Sequence, residues 1–230
     1  MHGGVRERAR AALLADVGRI ARRHLAEHGA ADLSVRAISR EMGLAPSALY
    51  RYYPSRDALL TQLIIEAYDE LGEFVEHAAA AAGPERHRER FVAAALAIRE
   101  WAVDHPHEYA LIYGSPVPGY AAPEDTIGPA TRVIGVLVDV MRHADPSTLH
   151  GVDHPDLGPD LAEQVHHVIE LSGGDLDPHV LAYGAVQWAT LFGLVSFELF
   201  GTFTSSFDDA GPLYRHAVEL AATTLRLTDT

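Results

Sequence analysis

Apolar residues recur at steps of three and four along almost the whole chain, and no stretch of useful length alternates apolar with polar. That period commits the chain to an all-α fold. Leu13, Val17, Ile20, Ala21, His24, Leu25 and His28 mark one face of a first helix, which Gly29 stops. Ser34 suits the N-cap of a short helix over 34–42, and Gly43 its end. Pro46 fits the first position of a third helix over 45–52, which cannot pass Pro54. Ser55 can cap a long fourth helix over 56–82, with Asp57 complementing its dipole and Gly83-Pro84 breaking it. Further helices are expected over 85–104, 108–113, 124–143, 160–171, 178–200 and 209–227, with loops over 114–123 and 144–158.

The chain has 230 residues and no cysteine, which excludes disulfides, thiolate zinc sites, iron–sulfur clusters and cysteine nucleophiles together. The net charge of −14 argues against a surface built for indiscriminate nucleic-acid binding. The charge is divided unevenly. Residues 1–60 hold ten arginines and six acids, a net of +4, whereas residues 61–230 hold eight arginines and twenty-six acids, a net of −18. A small basic module at 1–60, joined by a linking helix at about 55–82 to a larger acidic domain at 85–230, is the division this predicts. Nothing resembles an export signal, because Asp16 stops the only early apolar run, and a cytoplasmic location is expected. The long apolar segment 180–203 carries Gln187, Ser196 and Glu198, which favours a helix packed in protein over one in lipid.

The second and third helices, with the turn at Gly43-Leu44 between them, form a helix-turn-helix pattern. Ile38 and Leu49 are placed to pack the pair together, and Gly43 can take a left-handed turn at low cost. The third helix leads with Ala45, Pro46, Ser47 and Ala48. Small side chains there let a helix enter a major groove deeply, and its leading end is where base edges are met.

Residues 33–60 resemble the DNA-binding region of TetR-type transcriptional regulators. The run Gly43-Leu-Ala-Pro-Ser-Ala-Leu-Tyr50, the aromatic pair that follows, and Ser-Arg-Asp-Ala-Leu-Leu after Pro54 carry the resemblance, which extends over 5–75. A weaker one covers the remainder. His105-Pro-His-Glu-Tyr-Ala-Leu-Ile-Tyr-Gly114 and Trp188-Ala-Thr-Leu-Phe-Gly193 are similar to a C-terminal ligand-binding domain type named for a Trp-His-Gly motif, although Phe192 stands where that motif has its histidine.

The resemblance implies roles for particular residues. Arg36 matches a position that reaches a base edge, and Pro46, Ser47 and Ala48 would line the groove. Tyr50 and Tyr52 match aromatic positions whose hydroxyls hold phosphates. Arg56 stands where the family usually has lysine, at a helix N-terminus suited to phosphate. Arg51 would face the backbone too. Tyr50 has a second reading, as packed core with its hydroxyl bonded internally, and Tyr53 reads as core. Arg8, Arg10, Arg22 and Arg23 are either solvated helix faces or general phosphate attractors.

For the acidic domain, Trp101, Tyr109, Tyr113, Tyr183, Trp188 and Phe192 are candidates to line a ligand pocket, with Gln187 and Thr190 as polar handles; ordinary core is the alternative for each. The helix over 178–200 is apolar on nearly every side. Phe197 on it, with Leu213, Ala217, Leu220 and Leu227 at helical spacing on the last helix, suggests a four-helix bundle between two copies of the chain, which is also how the family dimerises.

Other chemistry is less well supported. His24 and His28 lack a third ligand, and His28 suits the helix C-terminus. Glu163-Gln-Val-His166 has one half of a di-iron motif without the second. His105/His107 and His150/His154 lie beside prolines. No metal site and no cofactor are expected. No nucleophile elbow, phosphate loop or dinucleotide fingerprint occurs, so no enzyme is expected. The function these residues imply is a repressor released from a palindromic DNA operator by a small apolar or aromatic effector. The alternative is an all-helical interaction or ligand-binding protein whose helix-turn-helix is structural only.

Overall fold

The computed structural model describes residues 3–150 and 155–227; His154 lies outside them. Among the described residues the chain forms ten α-helices and no strand. They are α1 (Gly3–His28), α2 (Val35–Glu41), α3 (Pro46–Tyr50), α4 (Arg56–Ala81), α5 (His87–Asp104), α6 (Pro106–Tyr113), α7 (Ile127–Met141), α8 (Gly158–Leu171), α9 (Pro178–Leu199) and α10 (Gly211–Thr224). Every expected helix is present. The expected starts shift where a short 3-10 turn intervenes, as at Glu124–Thr126 ahead of α7. Prolines open α3, α6 and α9, where a missing N–H costs nothing.

The chain divides into two compact units. One gathers the residues as far as Asp69 together with His105–Pro129, and the other holds Glu70–Asp104 and the residues from Ala130 onward. This departs from the boundary read from charge and motifs. By packing, segment 105–129 groups with the basic module because its apolar side chains complete that module's core. Val17, Ile20, Ile38, Leu49, Leu59 and Leu60 form the centre, and Leu111, Ile112, Val117 and Tyr120 pack on its edge. The polar tips follow suit: the Tyr68 hydroxyl donates to the Ile112 carbonyl at 3.2 Å, and Thr61 and Tyr120 share a hydrogen bond of 2.9 Å. Ile38 and Leu49 have no exposed surface. Each contributes roughly 1.5–3 kcal/mol by its burial.

In the second unit α10 packs on α5 and α9, α8 packs on α9, and α5 meets α9. Phe91, Ile98, Trp101, Leu191 and Tyr214 are fully buried there, and the Tyr214 hydroxyl donates to the Ala95 carbonyl at 2.8 Å. Most of this unit's arginines are clamps rather than free cations. Arg99 grips Glu198 with two bonds of 2.8 and 2.6 Å, and Arg132 grips Glu76 with two of 2.9 and 2.6 Å. Arg90 reaches Asp139 at 2.8 Å and Arg88 reaches Glu219 at 2.5 Å. The unit therefore spends its positive charge internally and presents an acidic surface.

Helix α9 is long and apolar enough to cross a membrane by length and composition. Its face through Val180, Gly184, Leu191 and Val195 is buried in the second unit, while Val186 and Phe197 are exposed. That is one face in a core and one face without cover.

Candidate nucleic-acid interface

The geometry of α2 and α3 follows from local chemistry. The Ser34 hydroxyl caps α2 by accepting from the Ala37 N–H at 3.4 Å. Gly43 takes φ +66°, and a Cβ there would meet no atom within 4 Å, so the need for glycine is conformational rather than steric. The turn is tied by the Leu44 N–H donating to the Ser39 carbonyl at 2.9 Å. Ile38 and Leu49, buried behind the pair, leave the opposite faces of both helices to solvent.

Those solvent faces carry the candidate residues. Arg36, Pro46 and Ser47 are exposed, and Ala48 is half-buried beside them. Arg40 and Arg51 are exposed as well, and among the described residues Arg36, Arg40 and Arg51 form no ion pair. Arg40 was missed in the sequence; its signal was the four-residue step from Arg36, which puts both on one helix face. The neighbouring cations are already engaged. Arg22 bonds Glu66 at 2.9 Å, Arg23 pairs with Glu41, and His24 meets the other Glu41 oxygen at 2.9 Å. Three guanidinium groups without an ion pair thus lie on α2 and at the end of α3, a five-residue helix that leads with small side chains.

The tyrosines divide as their neighbours dictate. Tyr50 and Tyr52 are half-buried, with rings against the core, and the Arg10 guanidinium lies 5.8 Å from the Tyr52 ring centroid. Tyr53 is buried, and desolvation, helped by the Glu66 charge, raises its pKa. Arg56 is placed differently from the other candidates. Its guanidinium turns onto the module and donates to the Ala30 carbonyl at 2.8 Å and to Asp57 at 3.3 Å. Its Nε is buried without a hydrogen-bond partner. The 3-10 turn at Ala30–Asp32, invisible in the periodicity, supplies the acceptor that draws it inward.

The expected ligand-pocket residues do not converge on one site. Tyr109 and Tyr113 lie in the first unit, where Tyr113 packs edge-on to Tyr68 and against Tyr109, and burial pushes its pKa up. Trp101 is 1% exposed, a core residue of the second unit. Tyr183 lines a shallow groove with Leu161 and His179. Gln187 and Trp188 do line a cavity, of about 230 Å³, walled by α5, α7, α8 and α9. Phe91, Leu137, Met141 and Leu191 supply much of its apolar wall. Phe192 is buried behind Trp188, with ring centroids 4.2 Å apart. The difference is one of helix phase: the aromatic residues of α5, α6 and α9 do not share a face, and periodicity alone does not reveal which faces meet.

The expected partner-facing residues divide similarly. Phe197 and Leu220 are 49% and 57% exposed, and Leu213 and Ala217 are half-buried. Leu227 is corrected: it is buried in its own subunit, because the chain turns after α10 and its N–H donates to the Ala222 carbonyl. Among the described residues no group of three histidines or acids is placed to hold a metal ion.

Comparison with known proteins agrees with this geometry. Residues 19–63 match a family model described as bacterial regulatory proteins, tetR family, and residues 91–221 match a tetracyclin repressor-like C-terminal domain. The HTH-type transcriptional regulators Rv1816 of Mycobacterium tuberculosis and Mb1846 of Mycobacterium bovis are each 39% identical over 202 residues, covering 87% of this chain and 86% of theirs. Among solved structures, the regulatory protein SCO4313 superposes with a TM-score of 0.75 at 31% identity, over 94% of this chain and 97% of that one. The TetR family transcriptional regulator PfmR from Thermus thermophilus, at 15% identity and a TM-score of 0.51 over 91% and 97% of the two chains, shares the fold.

Proposed function

The chain belongs to the TetR family of transcriptional regulators, and from that premise we propose that it is a homodimeric repressor released from a palindromic operator by a small uncharged effector. One observation carries the reading: among the described residues Arg36 and Arg40 on α2 and Arg51 at the end of α3 stand exposed without an ion pair while nearby arginines are neutralised. Arg36 reads a base edge, Ser47 and Ala48 line the groove, and Tyr50, Tyr52 and Arg51 hold the phosphates. A bidentate arginine–guanine contact is worth about 1–3 kcal/mol of discrimination.

One such module reads too few bases for a unique site. A two-fold dimer reads two half-sites about 34 Å apart, or a multiple of that. The exposed stripe of Val186 and Phe197 on α9, with Leu220 on α10, supports α9 and α10 as the surface a second copy covers. The cavity bordered by Gln187 and Trp188 takes the effector. Helix α4 contributes to both compact units and is the lever between them. An effector that binds about 100-fold tighter to the released state shifts the equilibrium by about 2.7 kcal/mol.

Selection of bound genomic fragments near physiological salt tests the reading. Native protein recovers one or a few palindromic sites, and folded Arg36→Ala and Tyr50→Ala variants lose them. Failure of folded native protein to enrich any sequence counts against it.

A further inference from the structure

Taking the cavity between α5, α7, α8 and α9 as the effector site, we propose that Gly184 and Met141 set the size of ligand it admits, and that this ligand is an uncharged molecule of about two fused rings carrying one hydrogen-bonding group.

The chemistry of the wall gives the charge. Of the lining side chains only the Gln187 amide and the Trp188 indole are polar, and no acid, arginine or histidine borders the cavity. A charged ligand would lose its hydration there and find no counter-charge. A neutral ligand with one donor or acceptor finds a single amide to orient it.

The volume gives the size. An apolar cavity of about 150 Å³ accepts benzene, whereas drug-sized ligands occupy about 300–1,000 Å³. At about 230 Å³ this pocket lies between the two, and with Ile134 and Val168 on its wall 40% and 44% exposed it is open to solvent on one side.

The gauge is steric. A Cβ on Gly184 would lie 2.5 Å from the Met141 sulfur and 2.7 Å from its terminal methyl. Both residues line the cavity, and Met141 is only 6% exposed. The thioether lies against the bare backbone of α9, a fit that only glycine allows. Alanine at 184 displaces that tip, and with the core close-packed the space beside it is the cavity itself. Methionine follows readily, because its chain is unbranched and flexible. Gly184→Ala therefore exchanges ligand volume for Met141 volume, and Met141→Ala does the reverse.

Titration of the full-length protein by calorimetry, with tryptophan fluorescence alongside, tests this. The probes are phenol, 1-naphthol, 9-anthracenemethanol and 1-naphthoate. Native protein binds 1-naphthol, and binds 1-naphthoate at least about tenfold more weakly. Gly184→Ala weakens 1-naphthol by about tenfold or more, the scale of a steric change in an apolar pocket. It leaves phenol within about twofold, which also serves as its folding control. Met141→Ala gains 9-anthracenemethanol, and Gly184→Ala/Met141→Ala regains 1-naphthol. An unchanged size profile in folded Gly184→Ala, or 1-naphthoate binding as tightly as 1-naphthol, overturns the inference while leaving the effector site in place. A native protein that binds none of the four probes overturns both.

Discussion

Replacing Arg56 with alanine separates two roles that position 56 can play. Its guanidinium donates to the Ala30 carbonyl at 2.8 Å, and a hydrogen bond from a charged donor is worth about 1.5–3 kcal/mol. Two corrections follow. The contact to Asp57 is 3.3 Å long on a carboxylate more than half exposed, so it adds almost nothing. The buried Nε has no hydrogen-bond partner, a standing cost of about 1–3 kcal/mol that disappears with the side chain. Mid-range values leave a net loss of only about 0.3 kcal/mol, a fall in Tm of about 1 °C or less for a chain this long. Thermal unfolding reads the first part. The second readout is operator affinity against salt. A residue that neutralised one phosphate per subunit would lower the slope of log K on log salt by about 1.8 per dimer. We expect Arg56→Ala to change Tm little and to leave that slope unchanged. A slope reduced by nearly two would refute the reasoning and restore Arg56 as a phosphate contact.

Other outcomes follow from the same geometry. Arg36→Ala relaxes base preference at one position of each half-site, while Arg40→Ala and Arg51→Ala weaken all sequences alike and reduce the salt slope by about 1.8 per dimer wherever the arginine neutralises one phosphate per subunit; binding selections at two salt concentrations distinguish the classes. Gly43→Ala costs about 1 kcal/mol, because alanine strains at φ +66° yet meets no clash, and urea unfolding measures it. Arg99→Met leaves Glu198, about one-fifth exposed, without its clamp and costs about 2 kcal/mol, seen as a shift in urea midpoint at constant slope. The Arg132 guanidinium holds the Glu76 carboxyl below its ordinary 4.5. That stabilisation is present above the unfolded pKa and is lost as pH falls through the folded one. Glu76→Gln should therefore lower stability at neutral pH, where the charged pair is intact, and flatten the acid limb below about pH 4.5, so that the variant and native profiles converge at low pH.

The helices were legible because their signals are local. Ser34, Gly43, Pro46 and Ser55 each act within a turn of their own position, and the structure uses Ser34, Gly43 and Ser55 as caps and turns where the pattern suggests. Exposure of Arg36 and Ser47 was equally legible, since burying Ile38 and Leu49 forces the opposite faces outward. The inward turn of Arg56 was not, because its acceptor comes from twenty-six residues away.

The amino-acid sequence by itself determined the all-helical fold, the helix-turn-helix and the basic character of its module. Period, caps and charge are properties of neighbours along the chain, and family membership travels with them. Tertiary structure alone decided which faces meet. It moved segment 105–129 to the basic module, took Trp101 and Tyr109 into core, left Gln187 and Trp188 beside a cavity, and laid the Met141 thioether against Gly184. Those outcomes depend on the relative phase and packing of helices far apart in sequence. Such choices are made by the close-packing of side chains, which no single helix encodes.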